Sequence, residues 1–270
     1  MPEPIIATKQ LVEKTFDGAA AGYDAHGGML ERGRRLVDLL GINAGVRVLD
    51  VATGKGAVLL AAARRLGPNG HVTGIDISGT MLEEARLAAA KNGLSNVTLL
   101  KMDAEHLEFP DASFDAITCG FGIWFFSPAA LDEMHRVCKP GGVIGVTVFE
   151  RVAPDARSPG QILGQLSKEY GLEVKWSQTA NLSPEEVESL LASHGFTPKQ
   201  TLRKSDERIF AKPEEYWEER LSSPNRLAIM SMDEETRAHF KDELLGRLRA
   251  VMQPDGLHGG SHVLYSVAQK

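Results

Sequence analysis

Three acidic residues recur at comparable places in this chain. Asp50 ends the run Val46-Arg47-Val48-Leu49-Asp50-Val51, Asp76 ends Gly74-Ile75-Asp76, and Asp103 follows Leu99-Leu100-Lys101-Met102. Each stands where a β-rich run gives way to a turn, and a carboxylate there can accept ribose hydroxyls or an amine. Between the first two lies Ala52-Thr53-Gly54-Lys55-Gly56, whose glycines let backbone N–H groups approach a ligand without a Cβ in the way. The turn has no GK[ST] ending, so a P-loop is excluded. The third small position of a dinucleotide G-x-G-x-x-G would fall on Leu59, a bulky residue. Three carboxylates beside a turn not arranged for pyrophosphate suit a ligand with an amino-acid tail, a ribose and an adenine but no phosphate.

Regular elements must hold these residues. Residues 46–51 predict a first strand, and 57–66 a helix stopped by Gly67 and Pro68. A strand at 71–77 and a helix at 81–91 follow, with Thr80 and Glu83 as its capping box. Strands are predicted at 97–102, 114–119 and 143–149, and Ser127-Pro128 opens a helix with the serine as cap. Strands alternating with helices predict an α/β fold: a doubly wound, Rossmann-like, mostly parallel sheet of about seven strands, with its ligand at the carboxyl ends. Residues 1–45 read as an N-terminal helical lid, 46–150 as the ligand-binding core, and 151–270 as the rest of the same domain, with substrate-binding insertions and the final strands. Helices are expected at 161–170, 183–194, 214–221 and 234–252, and strands at 196–202 and 262–268. Phe240, Leu244 and Leu248 share one helical face and read as packing.

At these residues the chain resembles the class I S-adenosylmethionine-dependent methyltransferases, and most closely the ubiquinone/menaquinone-biosynthesis type and its small-molecule relatives. The matching pieces are Val48–Gly56, Gly74–Leu82, Met102–Glu105 with Phe114–Gly122, and Glu133-Met134-His135-Arg136-Val137-Cys138-Lys139-Pro140-Gly141-Gly142, which follows the family's E-x-x-R-V-L-K-P-G-G run. Phe16 to Asp24 resembles the F-x-x-x-A-x-x-Y-D segment that folds over the cofactor. The resemblance implies S-adenosyl-L-methionine as cofactor. It implies that Asp50, Ala52, Thr53, Gly54 and Gly56 hold the methionine part, and that Asp76 takes the ribose. Ile77 and Met81 would lie against the adenine, Asp103 and Ala104 would meet its edge, the Cys119 backbone would take the methionine amine, and Tyr23 would approach from the lid. Ala52 departs from the family's first glycine, and Ser127 from an acidic residue before proline.

The implied reaction is methyl transfer to a small, hydrophobic or aromatic acceptor by in-line displacement. His26 and Tyr23 are the candidate general bases, with His258 and His262 as further candidates. The His258/His262 pair has no cysteine or acidic cluster beside it, so no metal site is expected. Phe125, Phe126, Tyr170, Trp176, Tyr216, Trp217 and Met230 are candidates to line an acceptor pocket, each with plain core as the competing role. Two other functions fit the same sheet: an NAD-dependent oxidoreductase, which Leu59 opposes, and a protein that binds S-adenosylmethionine without methylating.

Composition narrows the partners. The 270 residues are 43% hydrophobic and 24% charged, with a net charge of −6. A nucleic-acid partner is not expected of so acidic a chain, and Arg32–Arg35 read as a solvated helix face. Two isolated cysteines fit a reducing cytoplasm. No signal peptide and no membrane span are expected. The oligomeric state, a homodimer included, stays open.

Overall fold

The structure is a computed structural model and describes residues 4–24, 28–152, 155, 157–176 and 181–270. In chain order the described elements are β1 (Ile5–Ile6), α1 (Lys9–Ala19), α2 (Met29–Leu40), β2 (Arg47–Val51), α3 (Ala57–Leu66), β3 (His71–Asp76), α4 (Gly79–Lys91), β4 (Val97–Lys101) and β5 (Phe114–Gly120). A 3-10 turn at Ile123–Phe125 leads to α5 (Ala129–Val137), β6 (Cys138–Glu150), α6 (Pro159–Glu169), β7 (Val174–Lys175), β8 (Asn181–Leu182) and α7 (Pro184–Ser193). The chain continues through β9 (Thr197–Phe210), α8 (Pro213–Leu221), α9 (Arg226–Ser231), α10 (Glu234–Arg249) and β10 (Leu257–Gln269).

The expected sheet is present. Its strands run β4-β3-β2-β5-β6-β10-β9, with the short β8 paired to β6. Strands β2 to β6 pair in parallel, and β10 is antiparallel to β6. Val48, Leu49 and Val51 are fully buried, as a parallel strand covered on both faces requires. The strand order reverses at β2, which has β3 on one side and β5 on the other, so the crevice of such a sheet opens at the carboxyl ends of β2 and β5.

The described chain divides into two compact units, and the division is not sequential. One comprises Met1–Ala25, Val152–Trp176 and Ser205–His262; the other comprises His26–Arg151, Ser177–Lys204 and Val263–Lys270. Helix α2, read from sequence as part of the lid, groups with the sheet. A Cβ at Gly33 would lie 2.4 Å from the Ala57 carbonyl oxygen, so glycine is what lets α2 seat against the start of α3. The first unit has its own core, in which Leu166, Phe240, Leu244 and Leu248 are fully buried, so the expected packing face of α10 is there.

Several local expectations need correction. Helix α4 is capped by Ser78, whose Oγ accepts the Met81 N–H at 3.1 Å, rather than by Thr80. The cause is Asp76, whose Oδ1 accepts the Ser78 N–H at 2.9 Å and sets Ser78 in the cap position. Ser127 makes no side-chain cap for α5; its own N–H is donated to Glu105 Oε1 at 2.6 Å. The predicted Ser183–Glu186 capping box of α7 is present in both directions.

Candidate active site

Strand β2 delivers the chain to a turn of unusual backbone shape. Ala52, Gly54 and Gly56 all adopt left-handed conformations, with φ of 54°, 54° and 86°. Glycine adopts this region freely, whereas alanine pays about 1–2 kcal/mol for it. The Thr53 N–H is donated to the Ile75 carbonyl at 2.9 Å, and the Gly56 N–H to the Thr53 carbonyl at 2.8 Å, which fixes the turn onto β3. A Cβ at Gly54 would meet nothing within 4 Å, so the chain surface is open there. A Cβ at Gly74 would lie 2.5 Å from Leu59 Cδ1. Helix α3 therefore meets β3 through a leucine over a glycine, the reverse of the small third residue of a dinucleotide turn.

Asp50 faces inward. Its carboxylate accepts the Thr53 hydroxyl at 2.6 Å and the Thr118 hydroxyl at 2.7 Å, and it is 1% exposed. The backbone N–H of Leu59, in the first turn of α3, also favours its charged form. Burial pushes its carboxyl up to about 6, against the pull of the two hydroxyls, and the nearby charge of Asp76 adds to the rise. Thr118, which the sequence reading did not single out, reaches Asp50 because the two are in register across β2 and β5.

Asp76 binds the turn itself. Its Oδ2 accepts the Gly54 N–H at 2.8 Å. Beyond it, Ile77 is half-buried and keeps side-chain surface, while Met81 is 1% exposed and packed into the core. The Met102 N–H is donated to the Asp76 carbonyl at 3.1 Å, which brings the tip of β4 beside that of β3. Asp103 Oδ1 accepts the Glu105 N–H at 3.0 Å, and its other oxygen lies 3.6 Å from His106 Nδ1. Ala104 is buried next to it. Cys119 is fully buried, and its thiol is pushed up by burial and by the charges of Asp50 and Asp76. Asp50, Asp76 and Cys119 thus share one electrostatic neighbourhood, and Asp103 joins it through the backbone.

The E-x-x-R run has a structural job. Arg136 donates to both oxygens of Glu133, to the carbonyls of Leu107 and Phe109 at 2.8 Å, and to Asp111 at 2.8 Å, while Glu133 accepts the Leu107 N–H at 2.8 Å. One arginine therefore holds the segment that follows Asp103. Its partner holds Glu133 below the usual carboxylate range.

An aromatic cluster follows β5, and of its members the sequence reading caught only the half-buried Phe125, 5.3 Å from Trp124 between ring centroids. Phe121 lies 4.9 Å from Phe149 and 6.2 Å from Trp124 between ring centroids, and Trp124 lies 5.6 Å from Phe149. Phe121 itself is left-handed, with φ of 58°, and its N–H is donated to the carbonyl and hydroxyl of Thr147. Arg32 is not simply solvated: its guanidinium stands 5.4 Å from the Phe121 ring centroid.

The remaining candidates scatter. Tyr23 belongs to the first unit, with its ring edge-on to Phe16 at 6.0 Å. His26 lies outside the described residues. His258 meets Asp255 at 2.8 Å and His262 meets the Ser205 hydroxyl at 2.8 Å, so each has its own partner. His135 is half-buried with its ring edge against Phe196 at 5.1 Å. Tyr216 and Trp217 are core residues of the first unit, Tyr170 packs against that core, and Met230 is exposed.

Comparison with known proteins agrees with this geometry. Residues 48–142 match a family described as a methyltransferase domain. The chain is 41% identical over 143 residues to the aklanonic acid methyltransferase DauC of Streptomyces sp. strain C5, covering 52% of this chain and 65% of that protein. It is 31% identical over 210 residues to a demethylmenaquinone methyltransferase of Staphylococcus aureus, covering 70% of this chain and 86% of that one. The match spans 65%, 49% and 63% of the length of three such curated relatives. Among solved structures, the YcgJ protein of Bacillus subtilis shares the fold at a TM-score of 0.62 and 20% identity, over 89% of this chain and 98% of that one. The chain belongs to the class I S-adenosylmethionine-dependent methyltransferases.

Proposed function

We propose that the chain binds S-adenosyl-L-methionine at the tips of β2 to β5 and catalyses methyl transfer to a small, hydrophobic or aromatic acceptor. The observation that carries this reading is the acidic rim of the glycine turn. A dinucleotide turn offers its N–H groups and helix start to a pyrophosphate. Here the Gly54 N–H is already taken by Asp76, and buried Asp50 lies beside the same turn, held by the Thr53 hydroxyl. Two carboxylates in these positions repel a phosphate and favour a ligand of net positive charge, whose ammonium and sulfonium outweigh its single carboxylate.

Bound S-adenosyl-L-methionine supplies an electrophilic methyl group on a sulfonium. The chain's own part is to orient and to exclude water. Asp50 braces the turn from below, Gly54 leaves space above it, and Asp76 with Ile77 receives the nucleoside. Asp103 and Ala104 meet the adenine edge, Ile77 with Met81 behind the tip of β3 lies on the adenine side, and the Cys119 backbone holds the methionine amine. Orientation of this kind supplies roughly 7–11 kcal/mol at best. Tyr23 and His26 are the proposed proton acceptors, needed only for an acceptor that is protonated at the working pH. The relatives named for aklanonic acid and demethylmenaquinone support a small-molecule acceptor. The unbridged buried thiols of Cys119 and Cys138 support a reducing, cytoplasmic location. Among the described residues no helix is long and apolar enough to cross a membrane.

The test is transfer of a labelled methyl group across a panel of phenols, enols, quinols and aromatic acids. Turnover of at least one acceptor, with loss in an Asp76→Ala variant, is expected. Adenosylmethionine binding without transfer to any acceptor would point to a non-methylating role.

A further inference from the structure

We propose that Thr147 is a positioning residue for the amino-acid end of the cofactor, acting through its hydroxyl on the turn that follows β5; the role rests on the S-adenosylmethionine reading above. The Phe121 N–H is donated both to the Thr147 carbonyl at 3.1 Å and to the Thr147 Oγ1 at 3.0 Å. Thr147 is buried, and the pairing of β5 with β6 sets it opposite Gly120, the last residue of β5. Phe121 comes next and is left-handed, with φ of 58°. A bulky residue rarely adopts that region. The reversal brings Gly122 against the neighbouring strand tip, where a Cβ would lie 2.9 Å from Ala52 Cβ and 2.8 Å from Cys119 Sγ.

Four non-glycine residues among those described have a left-handed backbone. Two of them come together here: Phe121, just before Gly122, and Ala52, packed against it. Strain of this kind persists only where the surroundings over-determine it, and it gathers at ligand sites. The Phe121 ring is held by Phe149 and Trp124, and its N–H by two oxygens of one residue. The Thr147 carbonyl alone satisfies that N–H, so the hydroxyl is not needed to pair it. What the hydroxyl adds is direction, because the two-acceptor contact is lost if the Phe121 peptide rotates back toward the line of the strand. That peptide follows directly on Cys119–Gly120, the backbone assigned above to the methionine amine. On the other side of Cys119, the Thr118 hydroxyl is donated to Asp50 at 2.7 Å. A threonine hydroxyl therefore secures the chain on each side of Cys119, one from β5 itself and one from β6.

The probes are S-adenosylhomocysteine and 5′-methylthioadenosine, which keeps the nucleoside and the thioether but lacks the amino-acid end, titrated by calorimetry into the full chain. Thr147→Val removes only the second acceptor and leaves the carbonyl bond to Phe121, so it is expected to fold. It should weaken S-adenosylhomocysteine about tenfold and 5′-methylthioadenosine less than about twofold. Thr147→Ser, which restores the hydroxyl, is expected to keep the parental affinity for both. Unchanged S-adenosylhomocysteine affinity in Thr147→Val, equal weakening of the two ligands, or no rescue by serine overturns the role. Failure of S-adenosylhomocysteine to bind the parent chain overturns the cofactor reading and this role with it. The role alone fails with parental binding intact, so the two failures are distinguishable.

Discussion

Asp76 and Gly54 are joined by a 2.8 Å hydrogen bond from the glycine N–H to the carboxylate, so the acidic tip of β3 and the glycine turn after β2 form one device. The second oxygen of Asp76 holds Ser78, the cap of α4. Asp76→Ala should therefore loosen the turn as well as remove a ligand contact. Charge-assisted hydrogen bonds of about 1.5–3 kcal/mol translate to roughly 10–100-fold in affinity. S-adenosylhomocysteine binding should weaken towards the upper end in Asp76→Ala and towards the lower end in Asp76→Asn, which keeps an acceptor. Calorimetric affinities of the two variants check this, and an unchanged constant in Asp76→Ala would contradict it.

Asp50 gives a pH signature. Its folded carboxyl stands at about 6, raised by burial from the ordinary 3.8. Between those values the folded chain keeps a proton that the unfolded chain has released, so this group's contribution to stability falls as pH rises from about 4 to about 6 and is flat above. Two pH units correspond to at most about 3 kcal/mol. Urea midpoints of the parent chain should drop relative to those of Asp50→Asn across this window. Parallel curves for the two proteins would refute the buried-acid account.

Ala52 marks a strained place in the turn. Its left-handed backbone is one that glycine would adopt without cost, although glycine also loses more chain entropy on folding. Ala52→Gly is expected to be neutral to stabilising by up to about 1 kcal/mol, a rise of about 2 °C in Tm. Calorimetric melting decides the sign, and a clear fall in Tm would show that the alanine methyl packs better than the backbone suffers.

Arg136 should act at a distance from any ligand. Replacing it by Met frees Leu107 and Phe109 carbonyls and leaves Glu133 without its cation. The pair is partly exposed, so the expected loss is about 1–2 kcal/mol of stability. Because the same residues hold the segment after Asp103, cofactor affinity should fall several-fold while acceptor-saturated turnover changes little. A variant with reduced stability and unchanged cofactor affinity would separate the clamp from the site.

The sequence made the parallel core legible because its strands are buried on both faces and bounded by glycine turns, as Val48–Gly56 and Gly74–Ser78 illustrate. The long ends of β9 and β10 were not legible: Arg203-Lys204-Ser205-Asp206-Glu207 is too polar to read as strand, and it lies on the last strand of the sheet, where charge is ordinary. The three acidic tips were found, but not their directions. Asp50 turns inward because Thr118, far away in sequence, is brought into register by β5. The aromatic cluster of Phe121, Trp124 and Phe149 escaped notice for the same reason, since Phe149 meets the other two only when β5 and β6 pair.

Titration of the chain with S-adenosylhomocysteine, NAD and ATP under identical conditions tests the acidic, phosphate-rejecting turn most directly. The account predicts saturable binding of S-adenosylhomocysteine at micromolar strength, weakened by Asp76→Ala, with no measurable binding of either phosphate-bearing ligand at that turn. Binding of NAD or ATP with S-adenosylhomocysteine inert would contradict it.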